Sequence, residues 1–571
     1  MLQRTLPHLP LISLTLLAFS LPFELDKVLG RVGPLTVTNV ELLLALTLLA
    51  TAVTLFQART RPRLPDRYWL WLLPFGLALL LAALFAPAHQ ANAFKAALRL
   101  MSGVLLALAV LQIVRQRRDG YLVAAGLLAG GLIAAGIGMW ESYRYQELSW
   151  LALFRAKVTV AGQYIRLTGP FDYANQAAMF IEASLPFLLA LAWVVAYGKM
   201  AGRRRGLLLL FLGLLTLFYV QASVLTFSRA SFATILLVSL LLAGWLCWRQ
   251  PAGWRRLSAW WLALAVITGL LAAANFVGSS GFRLRLQSGN EDQWYLAELD
   301  TPPTLTLAAN TSTQVAITAV NTGKLIWQSE NNPPIVLGAR WINTETGREH
   351  GQPRWPFPGT VMPGQQVQLD VLVRAPSQPG TYELYWDVVQ EHVTWFGNKS
   401  GRFARTMVIV TPSLSGTAVT PTETTRAGWG YSLPIPNRRT LWTVGWQMWQ
   451  ERPWLGVGFD NYRLLYGARL GDPRLNNTIH TNNWYLEMLV SLGMVGALPF
   501  FFWLFWLALD LCRQTSRQDT TMWRLVVAAG LLTYLIHGFL DFFLLFNATG
   551  LLFWLLVGLW AAEKKRYADW N

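Results

Sequence analysis

Long apolar blocks separated by short polar gaps dominate the chain. A bilayer-spanning helix needs roughly 20 consecutive apolar residues, whereas soluble domains show shorter, periodic stripes. Twelve segments of the long kind are predicted, near 8–25, 35–56, 68–88, 93–113, 121–140, 176–197, 206–226, 231–248, 257–278, 484–509, 523–546 and 549–563. One gap, residues 279–483, far exceeds the others, and inside it the pattern changes. Residues 300–412 read as short β-rich runs: TLTLAA, TQVAITAV, PIVLGARWI, QQVQLDVLV, TYELYWDVV and RTMVIVT. Turn signals at Asn321-Thr322-Gly323, Pro363-Gly364 and Pro379-Gly380 separate them.

The expected architecture is a polytopic α-helical membrane protein of about twelve transmembrane helices. A β-sandwich of immunoglobulin-like type is inserted between the ninth and tenth. Residues 1–278 carry helices one to nine. Residues 279–436 form the insertion, with the sandwich at about 300–412 and a Ser/Thr/Pro-rich linker over 413–436. Residues 437–483 make a separate loop segment, and 484–571 carry the last three helices.

Composition agrees. The chain is 54% hydrophobic and 13% charged, about half the charge of a soluble domain. Its net charge of +17 would suggest nucleic acid in a soluble protein. Here the basic residues cluster in alternate gaps. They follow span two (Arg59, Arg61, Arg63, Arg67), four (Arg115, Arg117, Arg118), six (Lys199, Arg203, Arg204, Arg205), eight (Arg249, Arg255, Arg256) and ten (Arg513, Arg517), and close the chain (Lys564, Lys565, Arg566). By the positive-inside rule these gaps and both termini are cytoplasmic, so the insertion lies outside the cytoplasm and the bilayer, not nucleic acid, is the partner. The N-terminal apolar run lacks a small-residue cleavage site and reads as an uncleaved first helix. Cys247 and Cys512 form neither a disulfide framework nor a metal spacing.

Ionisable residues in or beside spans ask for a reason. Ser228 and Arg229 (TFSRAS) fall in an outer turn, where topology needs no arginine. Arg229 either reaches outer head groups or binds an anion. Arg166, before span six and near Asn175, is a second such arginine. Lys95 and Arg99, one turn apart, either line one cavity or snorkel. His537 and Asp541 are i, i+4 in span eleven and either join helices or act chemically. In 438–496 an amphipathic helix from Arg439 to Trp449 ends at Pro453. Gly456 and Gly458 allow a tight turn, polar residues surround His480, and Gly493 with Gly496 reads as a helix-packing patch.

These pieces resemble the O-antigen ligase and O-antigen polymerase family of bacterial envelope glycosyltransferases. The resemblance rests on GPFDYANQAA, TFSRAS, RTLW…ERPWLGVGFDNY and HTNNWYLEMLVSLGMVG, in that order. It implies a glycosyl transfer on the outer face of the cytoplasmic membrane. The donor is an oligosaccharide linked through pyrophosphate to a polyprenol, and the acceptor a sugar hydroxyl on a glycan or lipid-linked sugar. No cofactor and no metal are implied. Arg229 and Arg439 match the family's two pyrophosphate arginines, and His480 stands for its general base. Arg166, Asn175, Ser228, Arg438, Asn482, Asn483, Glu487, His537 and Asp541 are the accompanying binding residues. The family places its histidine directly before the asparagine matched by Asn483, where this chain has Asn482. In an extended segment His480 would point to the same side as Asn482; in a helix already begun it would not. Glu487 is then an alternative base or an orienting partner. Ligase and polymerase are not separated by these residues.

The β-rich insertion resembles immunoglobulin-like modules attached to some glycosyltransferases. Trp327, Trp341, Trp386 and Trp395 either bind glycan or pack its core. Two other functions fit the composition: a transporter of small anions, or an envelope assembly protein binding glycan through its β-domain. The first would show matched, broken repeats, and none is visible.

Overall fold

A computed structural model describes residues 8–32, 35–59, 61–144, 148–156, 158–161, 164–249, 252–287, 294–330, 334–347, 349–391, 394–400, 402–412, 436–471, 477–515 and 521–568. The linker predicted over 413–436, except its last residue, lies outside the described residues, as does Arg517. Two compact units emerge. One comprises residues 1–159, 165–283 and 436–571; the other comprises 160–164 and 284–435.

The first unit is helical, and each of the twelve apolar segments carries a helix. Among the described residues, nine are long and apolar enough to cross a membrane: Asn39–Gln57, Arg67–Leu84, Gln90–Ile113, Arg117–Arg144, Ala174–Tyr197, Gly202–Leu225, Arg229–Trp248, Arg255–Gly278 and Trp484–Thr515. Leu9–Ser20 and Met522–His537 are shorter apolar helices, and the twelfth segment lies in Asn547–Ala568. Threonine hydroxyls inside these helices bond back to the preceding turn, as apolar surroundings favour. Thr47 donates to the Leu43 carbonyl at 2.8 Å and Thr51 to that of Thr47 at 2.7 Å. Helix Asn39–Ala58 starts from a reciprocal capping box between Thr38 and Glu41.

Two departures from continuous helix among the predicted spans shape the site. Trp484–Thr515 is interrupted at Gly493, whose φ of 56° and ψ of −165° lie outside the helical region. The loop after Pro453 docks on this break. Val457 and Gly458 donate to the carbonyls of Val490 and Ser491, while Met494 and Val495 donate to those of Pro453 and Trp454, at 2.7–3.1 Å. A Cβ on Gly493 would stand 2.3 Å from the Trp454 carbonyl carbon, and one on Gly456 would stand 2.4 Å from the Val490 oxygen. Gly493 is therefore the floor of a docked loop rather than the packing residue expected from its spacing with Gly496. Span 523–546 also stops early. Its helix ends at His537, and 538–546 is non-helical before Asn547–Ala568 begins. The Gly538 carbonyl, freed from the helix, accepts from Trp484 N at 2.7 Å. Irregular backbone among apolar helices is stable only where protein or a cavity satisfies it.

In the second unit all six β-rich runs form strands. One sheet is ordered Arg354–Pro356, Ile335–Asn343, Gly380–Gln390, Ala404–Thr411, Thr304–Ala308, and the other Gln366–Arg374, Ser312–Val320, Glu298–Asp300. Alternate residues are buried along Gln366–Arg374, which hides one face and exposes the other, whereas Ile335–Asn343 has no exposed residue. Trp327, Trp341, Trp386 and Trp395 are at most 3% exposed, which settles them as packing residues. Trp386 donates to the Thr406 hydroxyl at 2.9 Å. The buried Asp387 carboxylate accepts from the amides of Val388 and Gly397.

Candidate functional site

The docked loop and the broken helix carry the main cluster. After Gly458 the chain turns through Asp460, at φ 69°, into the short helix Tyr462–Arg469. Arg463 grips the Asp460 carboxylate at 2.6 and 2.7 Å. From helix Gln90–Ile113, Asn92 donates to Asp460 Oδ2 and to Asn461 Oδ1, both at 3.1 Å. Asn461 is fully buried and donates to the carbonyls of Ala88 and Val457. These bonds pin Asp460 against the loop.

His480 faces this group. Its Nδ1 lies 3.5 Å from Glu487 Oε1 and its Nε2 lies 3.8 Å from Asp460 Oδ1. Glu487 is fully buried and accepts the Thr481 amide at 3.0 Å. The long Nδ1 contact is of the kind that tightens when a substrate binds. The backbone here is neither of the two expected forms. The helix begins at Trp484, yet Asn482 has φ 52° and turns the chain, so strict alternation from 480 to 482 does not hold. Asn483 caps the helix, accepting from Leu486 N at 2.9 Å, and donates to the Phe539 carbonyl at 3.2 Å. Asn482 makes no side-chain hydrogen bond among the described residues.

A cavity of about 240 Å³ opens beside His480, walled by Asn92, Lys95, Arg99, Asp460 and Arg463 among others. Lys95 and Arg99 thus line one cavity rather than only snorkelling. Arg99 also pairs with Glu41 at 2.7 Å.

A second cluster joins residues far apart in sequence. Arg166 is buried, donating to the Thr226 carbonyl at 2.7 Å and to Asn175 Oδ1 at 2.8 Å. Asn175 in turn donates to Asp541 Oδ2 at 2.9 Å. Burial pushes the Arg166 guanidinium down to about 10; nearby Arg229 adds to this and Asp541 opposes it. Arg229 opens its helix after a turn in which Phe227 has φ 52°. Ser228 is buried there, and Arg229 is exposed. His537 does not pair with Asp541 as its spacing suggested. It meets Glu182 at 2.5 Å, and Arg438 lies within electrostatic reach of it. Arg438 and Arg439 stand exposed in the first turn of helix Arg438–Glu451, which Asn437 caps. Among the described residues Arg229, Arg438 and Arg439 have no hydrogen-bond or ion-pair partner.

The segment 538–546 connects the two clusters. Asp541 belongs to the arginine group, while the Phe542 and Phe546 rings pack on His480 at 5.4 and 6.3 Å. Sequence reasoning assigned no role to Asp460, Asn92, Arg463 or Glu182. Only Glu182, a carboxylate inside an apolar span, carried a local signal. Among the described residues no group of three or more His, Cys, Asp or Glu is arranged to hold a metal ion.

Residues 301–400 match the family model described as Ig-like domain from next to BRCA1 gene. No curated protein matches the chain. Residues 400–501 match the family model described as O-Antigen ligase, and this stretch holds the docked loop, Asp460, His480 and Glu487; the likeness suggests an enzyme of glycan transfer in O-antigen assembly.

Proposed function

We propose that this protein transfers a glycan from a polyprenyl-pyrophosphate-linked donor to a sugar hydroxyl at the outer face of the bacterial cytoplasmic membrane. The observation that carries the reading is the His480–Glu487 pair beside a cavity, inside the segment similar to O-antigen ligases. With Glu487 accepting the Nδ1 proton, Nε2 keeps its lone pair toward the cavity. It takes the proton of the acceptor hydroxyl. That oxygen bonds to the anomeric carbon of the donor, and the bond from this carbon to the pyrophosphate oxygen breaks. The pyrophosphate leaves with the electron pair. It is a good leaving group and needs cations more than an acid. Arg229 and Arg439, with Arg438, are unpaired and exposed, and the planar guanidinium fork suits phosphate oxygens. Arg166, Asn175, Ser228 and Asp541 hold the Arg229 side of the site. Asn482 and Asn483 shape the entry to His480, and His537 with Glu182 braces the adjoining segment.

The test is release of polyprenyl pyrophosphate by the purified protein given lipid-pyrophosphate-linked glycan and a glycan acceptor. Arg229→Ala, Arg439→Ala and His480→Ala should each lower release by about a hundredfold or more. Uptake of a small anion into vesicles with no release would overturn the reading in favour of a transporter. The glycan profile of a deletion strain separates the two subclasses. Single repeat units left on the normal acceptor mean a polymerase, and polymer left on the lipid carrier means a ligase.

A further inference from the structure

The cavity beside His480 does not end there. A second one, about 260 Å³, adjoins it, and the two share Lys95, Arg99, Leu545 and Phe546 as walls. The second adds Glu24, Asp26 and Asp172 with the rings of Phe154 and Phe171. Opposite charges line this space without collapsing onto one another. Arg99 is paired to Glu41 outside the acidic group. Neither Lys95 nor Asp172 forms an ion pair among the described residues. Glu24 is held by Thr38 and Asn547, at 2.9 and 2.5 Å, both on Oε1. Its Oε2 has no hydrogen bond among the described residues.

This wall chemistry selects its ligand by exclusion. An anion would meet Asp26, Asp172 and Glu24, the last with its carboxyl held up to about 7 by burial, and a metal cation would meet Lys95 and Arg99. A neutral polyhydroxyl ring satisfies both. Its hydroxyls donate to carboxylates and accept from lysine, and its C–H face packs on an aromatic ring. Burial holds the Asp172 carboxyl up to about 6, with Asp26 adding to the effect, so near neutrality it is mainly the acceptor such hydroxyls need.

The position relative to His480 gives the ring a role. Asp541 lies with Asn175 and Arg166, Phe542 and Phe546 lie on His480, and Asn547 lies on Glu24. The arginine group, His480 and the second cavity are thus contacted in turn along residues 541–547, so a ring held in the second cavity borders His480 on a wall shared with the arginine group. We infer that the cavity walled by Glu24, Asp172 and Lys95 binds the acceptor's pyranose ring and presents its hydroxyl to His480. This rests on the glycan-transfer reading above.

Two measurements on the full-length protein in micelles test it. The first is direct binding without turnover, by saturation-transfer NMR with free glucose, galactose and N-acetylglucosamine as probes. At least one should bind, and Asp172→Asn and Glu24→Gln should each weaken it about tenfold or more. The second is transfer kinetics. The same variants should raise the acceptor KM about tenfold while kcat and the donor KM stay within about twofold. Lys95→Gln, on helix Gln90–Ile113, replaces Glu24→Gln if Asn547's hold on Glu24 proves necessary for folding. Probe binding untouched by the variants, or a loss shared equally by donor and acceptor, would overturn the site. Binding lost in the variants of a chain that releases no polyprenyl pyrophosphate would sink the functional reading but keep the sugar site.

Discussion

At the scale of single residues, His480 shows both what local sequence reveals and what it hides. Its nearness to Glu487 was legible, because the two are separated by only a short turn. Its other carboxylate, Asp460, was not, since the docked loop alone brings it close. Arg166 and Asn175 stood out as misplaced polar groups, yet their common partner Asp541 lies 366 residues beyond Asn175. The Glu487 contact makes a specific prediction. Glu487→Gln keeps the shape but offers a neutral acceptor to an imidazole that gains charge during the reaction. It should lower kcat by on the order of tenfold to a hundredfold with little change in KM, less than His480→Ala at roughly a hundredfold to ten-thousandfold. An unchanged kcat would show that Glu487 does not act through the histidine. Asp387 predicts a pH effect in the β-rich unit. Burial lifts its carboxyl from 3.8 to about 7, against the pull of two backbone amides. A raised folded-state value means the native unit binds the proton more tightly. Its contribution to stability is full below about pH 4 and is lost as pH rises through about 7. Amide exchange across Gly380–Gln390, corrected for intrinsic rates, should quicken over that interval in the wild type. In Asp387→Asn it should not.

At the scale of elements, hydropathy located a helix in each of the twelve apolar segments but neither of these interruptions. An apolar run reads alike whether it is one helix or two, and the group that breaks Trp484–Thr515 is the backbone of Pro453–Gly458, distant in sequence. The strands were easier. Alternation is local, and Gly364, at φ 83°, lies at a turn that Pro363-Gly364 announced. The docked loop should therefore depend on glycines that nothing nearby explains. Gly493→Ala places a Cβ 2.3 Å from the Trp454 carbonyl carbon in a left-handed backbone, and Gly456→Ala does the same 2.4 Å from the Val490 oxygen. Strain of about 1–3 kcal/mol per site, with the clash added, should release the loop before it unfolds the bundle. Hydrogen exchange should rise at Val457, Gly458, Met494 and Val495 and stay slow in Gln90–Ile113. Transfer activity should fall with it, because Asp460 loses its support. Uniform loss of protection across all helices would mean that the glycines serve general packing instead.

At the scale of the whole molecule, the charge pattern makes the claim that is easiest to break. Nine helices among the described residues have the length and apolarity to cross a bilayer, but that criterion alone does not orient them. The basic gaps do, if twelve segments cross. The +17 charge is then a record of topology rather than of a polyanionic partner. The weak points are the three remaining helices: Leu9–Ser20, Met522–His537 and Asn547–Ala568. If Met522–His537 and the irregular residues 538–546 turned back without crossing, the C-terminal Lys564, Lys565 and Arg566 would face outward. The structure offers a reason against this. Lys564 pairs with Asp510 at 2.6 Å and with Asp66 at 2.8 Å, which ties the last helix to the basic gap after span two and to the end of the long helix before Arg513. All three stretches should therefore lie on one side. Single cysteines introduced at Arg203, Arg255 and Lys565 in a chain lacking Cys247 and Cys512 should resist an impermeant maleimide in intact cells and react after lysis. Cysteines at Glu298 and Arg438 should react at once. Labelling of the Lys565 position in intact cells would remove one crossing and place the C-terminus outside. Protection at Arg438 would be more damaging, since its guanidinium would then face the wrong side to meet a donor presented at the outer leaflet.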